Sequence, residues 1–162
     1  CGALDAFGQN PSAALLAPVG WSDSGNPAYL AKAYPNGWVL VLRAFGPNWL
    51  KRLNAATMAR YEMRQGGADS PTREIKLASG CCMWVRRDAF DRVGGFDEEY
   101  FLYWEDYDLS LKLAECGELI EHRSLQIIHH GGDVAKKSWL HLWWFTIGAI
   151  RFFRRWGWRW FG

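Results

Sequence analysis

The residues best suited to chemistry are an acidic pair, Glu105 and Asp106, in the stretch Gly94 to Leu113, which reads GGFDEEYFLYWEDYDLSLKL. Helical spacing continues from the pair through Leu109, Lys112, Leu113 and Cys116, so the acids stand where a helix begins. Carboxylates favour the positive end of a helix dipole, and capping alone would account for them. The same position keeps a carboxylate ionised and able to take a proton from a hydroxyl group. Phe101, Tyr103, Trp104 and Tyr107 flank the pair. Aromatic rings wall sugars, and they also fill cores. Phe101 and Tyr103 are expected in the core, and Trp104 is expected to offer a ligand face. Asp108 and Lys112, four apart with the acid first, suit a helical ion pair.

A second group is His129-His130-Gly131-Gly132, at the end of a strand-like run. Histidine there can bind a metal or a phosphate, or simply pack, and glycine permits close backbone approach. Side chains alternate along a strand, so only one of His129 and His130 can face a site. Cys1, Cys81, Cys82 and Cys116 match no zinc spacing, and free buried thiols in a reducing compartment are expected.

Strand-like and helical runs alternate along the chain, which predicts an α/β fold. A helix tail and turn lead to a strand over Ala14 to Val19, and Ser22 to Pro27 has turn chemistry. Pro35-Asn36-Gly37 marks another turn, before a β-rich run at Trp38 to Leu42. Pro47 to Arg64 has helical spacing, Gly66 to Pro71 is a polar loop, and Glu74 to Val85 is a strand broken at Ser79-Gly80. A helix over Arg87 to Val93 ends at Gly94-Gly95. Leu119 to Ile128 reads as a strand and Lys136 to Arg155 as a helix.

The length suits one domain, and the net charge of +2 gives no case for a nucleic-acid partner. Cys1 to Asn10 has neither a basic start nor an apolar run, so no signal peptide is read there, and because the chain opens on Cys1 rather than Met a fragment or processed product is expected. Two regions are read: 1–137, carrying the motifs, and 138–162, rich in Trp and Arg. The second has the composition of a helix packed on the domain or of a segment resting on anionic lipid.

Taken in order, Ser79-Gly80, Arg86-Arg87, Phe90, Val93-Gly94-Gly95-Phe96-Asp97-Glu98, Phe101, Tyr103, Glu105-Asp106-x-Asp108-Leu109, His129 and Gly132 resemble the C-terminal half of family 2 glycosyltransferases, nearest the bacterial rhamnosyltransferase type. The resemblance implies a GT-A fold, a Rossmann-like α/β sandwich, present here without its N-terminal nucleotide-binding half. It implies sugar transfer with inversion from a nucleotide-diphosphate sugar to a glycan or lipid-linked acceptor, with Mg²⁺ or Mn²⁺ as cofactor. Asp106 would be the general base and Glu105 its support. Ser79 and Gly80 would lie near the donor sugar, Asp97 near the acceptor, and His129 or His130 at the metal or diphosphate. Lys112 stands where the family often has Arg. The family's first strand and its metal-binding Asp-x-Asp have no counterpart ahead of these motifs, so little or no activity is expected of the chain alone. The implied location is the cytoplasm, with peripheral contact at the inner face of the plasma membrane. The rival reading is a non-catalytic module that binds a membrane, a partner or a glycan.

Overall fold

The computed structural model describes residues 2–64, 70–130 and 139–159, leaving aside the side chains of Ala44 and Phe45. Cys1, Gly131-Gly132, most of the Gly66 to Pro71 loop and the first residues of the expected terminal helix lie outside that set.

After α1 (Ala3–Gln9), the chain enters β1 (Ala13–Trp21), the central strand. Its first six residues are all buried, as a strand covered on both faces requires. It runs parallel to β7 (Glu118–Ile128). Its other edge pairs antiparallel with β2 (Pro27–Ala28) near one end and β6 (Trp84–Val85) near the other. β4 (Thr72–Glu74) closes the far side of β7, making a mixed five-stranded sheet. A second small ladder joins β3 (Ala31–Lys32) to β5 (Leu77–Ala78).

The sheet has a core on each side. Leu15, Ala17 and Leu119 pack with Leu109 and Leu113 of α6 (Glu105–Leu113) and Ala89 of α5 (Arg87–Arg92). Leu16, Ile120 and Leu125 pack with Ala6 of α1. The expected α/β class is therefore observed. The strand at Ala14, the Ser22–Pro27 turn, and the helices at Arg87 and Glu105 all lie where their patterns put them.

Two expectations are corrected. Trp38 to Leu42 is helical, within α2 (Gly37–Phe45), because Asn36 is an N-cap rather than a turn residue. Its side chain accepts the Val39 N–H at 2.8 Å, and Val39 and Leu42 bury one helical face. Pro47 to Arg64 is divided into α3 (Asn48–Leu53) and α4 (Ala55–Tyr61), with Asn54 taking its own side-chain amide back to the Leu50 carbonyl at 3.0 Å. The thiols also depart from expectation: Cys81 is exposed, and Cys82 and Cys116 are half-buried, all three free.

The terminal helix α7 (Trp139–Trp156) lies against α6 through an aromatic cluster of Tyr100, Trp104, Phe152 and Phe153. Gly148 is the close approach: a Cβ there would stand 2.7 Å from Trp104 Cδ1 and 3.3 Å from the Tyr103 carbonyl. Gly148→Val is expected to lift α7 from α6 and cost about 1–3 kcal/mol, the usual range for overpacking. A thermal melt matching that of the unmodified chain would contradict this seating.

Candidate active site

Asp106 is fixed from two directions. Its Oδ2 accepts the Gly80 N–H at 2.9 Å, and its Oδ1 accepts the Tyr107 N–H at 2.8 Å. Ser110 locks α6 to the strand that leads to Gly80. Its hydroxyl donates to the Asp106 carbonyl at 2.7 Å and accepts the Ala78 N–H at 3.1 Å. A Cβ on Gly80 would meet Asp106 Cβ at 3.1 Å, so glycine lets the turn come close enough to donate. Ser79 occupies the same turn, its N–H bonded to the Leu30 carbonyl at 3.1 Å. The structure thus brings Ser79, Gly80, Glu105 and Asp106 together.

Burial raises the Asp106 carboxyl from 3.8 to about 6. The Gly80 and Tyr107 N–H groups oppose that rise, and the charge of Glu105 adds to it. A carboxylate of that strength is ionised at neutral pH yet basic enough to draw a proton from a sugar hydroxyl. Glu105 is half-buried, and its Oε2 is buried with no hydrogen-bond partner among the described residues.

Both acids line a cavity of about 160 Å³ with Leu40, Arg43, Tyr61, Tyr103, Trp104, Tyr107 and Phe145. Its roof comes from α2 and α4. The Tyr61 and Tyr107 hydroxyls are 2.9 Å apart, and the Arg43 guanidinium lies 5.4 Å from the Tyr61 ring centre. Sequence reading missed Arg43, Leu40 and Tyr61 as wall residues, since α2 was read as a strand. The Asn36 cap was the available signal.

The aromatic assignments are partly reversed. Phe101 is 72% exposed rather than in the core. Trp104 is only 3% exposed, so it forms the back of the cavity rather than an open ligand face. The cause is the backbone: Tyr103 and Trp104 have φ of 69° and 72°, two successive left-handed residues that turn the Trp104 ring inward. There its indole N–H donates to the Phe145 carbonyl at 3.0 Å.

Asp97 does not line this cavity. Its Oδ1 accepts the Glu99 N–H at 3.0 Å, and its Oδ2 lies 3.4 Å from Arg151 and 3.3 Å from Arg155, both on α7. His129 is half-buried at the end of β7, its N–H continuing the ladder to the Trp21 carbonyl at 2.7 Å. His130 is exposed, with Nδ1 2.5 Å from Asp23 Oδ1. No group of three or more His, Cys, Asp or Glu among the described residues is placed to hold a metal ion. These residues therefore do not fit a divalent cation by themselves. Lys112 pairs with Asp108 at 3.4 Å, as its spacing predicts, and also donates to the Gly95 carbonyl at 2.6 Å.

No protein-family model matches the chain. Over 132 residues, 78% of the chain, it is 37% identical to N-acetylglucosaminyl-diphospho-decaprenol L-rhamnosyltransferase of Mycobacterium tuberculosis, in strains CDC 1551 / Oshkosh and ATCC 25618 / H37Rv alike. The match covers 40% of each of those proteins. It is 39% identical over 60 residues, 35% of the chain, to rhamnosyltransferase WbbL of Escherichia coli K12, covering 23% of that protein.

The carboxyl carbon of Asp106 is expected to titrate near pH 6 in a carbon-detected NMR series. Its folded value lies above its unfolded one, so this group's contribution to stability is full below about pH 4 and is lost as pH rises through about 6. A midpoint at or below 4 would mean that the carboxylate is not desolvated as described.

Proposed function

We propose that this chain, whose relatives are rhamnosyltransferases, carries the acceptor side of an inverting glycosyltransferase. The observation behind the reading is Asp106, clamped by the Gly80 N–H beside an aromatic-backed cavity and tuned to about 6. The acceptor sugar would lie in that cavity with one hydroxyl on Asp106, and with Glu105 beside it in the lining. Asp106 takes the hydroxyl proton as the oxygen attacks the anomeric carbon. The bond from that carbon to the diphosphate breaks on the opposite face, which inverts the configuration. The nucleotide diphosphate leaves with the bonding pair.

The donor in this reading is a nucleotide-diphosphate sugar, with rhamnose first among candidates because of the relatives' names. The acceptor is a sugar carried on a lipid diphosphate, by the same analogy. A divalent cation, carried over from the resemblance, belongs to the same reading, with His129 or His130 as the residue that would offer it a ligand. Ser79-Gly80 would face the donor sugar.

Peripheral membrane contact belongs to the same reading. On α7, Trp139, Leu140, Leu142, Trp143, Ile147 and Ile150 are exposed, and Arg151, Arg154 and Arg155 follow. Aromatic and aliphatic residues with arginine suit the interface of an anionic bilayer. No helix among the described residues is long and apolar enough to cross a membrane.

Asp106→Asn is expected to reduce sugar transfer by about 10²–10⁴-fold, the usual effect of losing a general base. The fold should survive, because relief of carboxylate desolvation offsets one lost acceptor. Transfer in the unmodified protein should rise as pH increases through about 6, where Asp106 ionises. Unchanged transfer by the Asn variant would remove Asp106 from the role. For the membrane contact, Trp143→Glu with Ile147→Glu should release the chain from vesicles containing anionic lipid in flotation. Equal flotation would dismiss it.

A further inference from the structure

None of the residues of α3 is buried among the described residues. A helix of six residues is marginal in water unless an apolar face packs against something. α3 has such a face. Trp49 and Leu53, one helical turn apart, are 63% and 76% exposed. Trp38 and Val41 extend the apolar surface onto α2, at 38% and 47%. The two helices are tied at this point: the Trp38 indole N–H donates at 3.2 Å to the side-chain oxygen of Asn54, the residue that ends α3. Four large apolar side chains thus lie bare on joined helices, where soluble domains leave such residues scattered.

The charge around them has one sign. From Gly37 to Tyr61 the chain has no Asp or Glu, and it has Arg43, Lys51, Arg52 and Arg60. Arg43 pairs with Glu62 at 3.2 Å. Lys51 and Arg52 belong to α3 itself and stand between Trp49 and Leu53 in sequence. A second copy of the chain seated on this surface would set these cations against their own images, which is repulsive. An anionic bilayer suits both features at once. Tryptophan and leucine enter its interface, while lysine and arginine meet lipid phosphate.

We propose that the α2–α3 surface is a docking site for an anionic lipid bilayer, separate from the exposed face of α7. The two elements are joined. The Gly37 N–H at the start of α2 donates to the Arg159 carbonyl at 2.8 Å, and the Tyr34 hydroxyl donates to the Gly157 carbonyl at 2.7 Å. α2 therefore begins where the chain leaves α7, and two contacts held in one fold bind a surface more tightly than either alone. α2 also supplies Leu40 and Arg43 to the Asp106 cavity. One consequence rests on the transferase reading: an acceptor carried on a lipid would meet that cavity beside the very helix that docks.

Flotation of the full chain with vesicles of phosphatidylcholine and phosphatidylglycerol in equal parts, against phosphatidylcholine alone, tests the surface. The chain is expected to float with the anionic vesicles, and less so as salt is raised. Trp49→Glu with Leu53→Glu should weaken binding about tenfold or more, with an unchanged thermal melt because neither side chain is packed. Lys51→Ala with Arg52→Ala should weaken it about tenfold as well. Both variants leave α7 intact, so their result is read apart from that of Trp143 and Ile147. Asp106→Asn should float as the unmodified chain does, which keeps this result separate from any failure of the transferase reading. Equal flotation of the Trp49 and Leu53 variant, no flotation of the folded unmodified chain, or equal flotation without anionic lipid would overturn the proposal. So would a dimer in sedimentation that the Trp49 and Leu53 substitutions abolish, since a second copy would then be the occupant.

Discussion

A fully buried carboxylate governs the arrangement of the functional half. Asp108 has no exposed surface, and an isolated charge in such a place would be expelled or neutralised. It is met on one oxygen by the Trp156 indole N–H at 2.8 Å and by Arg155 at 3.4 Å. Lys112 approaches the other oxygen at 3.4 Å. These partners arrive from the end of α7 and from the next turn of α6. Lys112 in turn holds the Gly95 carbonyl, and Arg155 reaches Asp97. One buried charge thereby joins α6, α7 and the glycine turn after α5. Removing any single partner would leave the carboxylate undercompensated, which is why such clusters tolerate little change.

Three acids lie within the first turn of α6, and their surroundings set them apart. Asp108 faces inward and finds cations. Asp106 faces the Gly80 turn and finds two neutral N–H donors, which hold its position without cancelling the penalty of burial. Glu105 keeps a buried oxygen with no hydrogen-bond partner among the described residues. The helix dipole acts on all three alike, so the dipole does not explain their differences. What differs is whether each meets a cation, a peptide N–H or, among the described residues, neither.

Much of this could be read from residue order. Amphipathic spacing located α5 and α6, β-rich runs located β1 and β7, and the Asp108–Lys112 pair followed from helical geometry. The acid pair and Ser79-Gly80 were legible as neighbours only because their motifs resemble a known order. What escaped was one local cap and several non-local contacts. Asn36 caps a helix through its side chain, and Val39 and Leu42 are buried by distant elements, so a locally β-rich run became helical. Trp104 looked like a ligand face because its ring is next to the acids in sequence. Its backbone turns left-handed and its ring goes to α7 instead. Asp97 was likewise drawn off by arginines more than fifty positions away.

The left-handed pair at Tyr103 and Trp104 also makes the site dependent on a distant segment. For residues with side chains this conformation costs about 1–2 kcal/mol each, and nothing in the adjacent sequence supplies a cap to offset it. The compensating contacts come from α7, beginning with the Phe145 carbonyl, 41 residues further along. The turns of α6 are held by bonds within the helix, but the bend that sets its first turn is held by that later segment. The geometry of the acid pair thus rests on a contact made far along the chain. The pair depends on long-range contact, while the helix that bears it is among the most local elements of the chain.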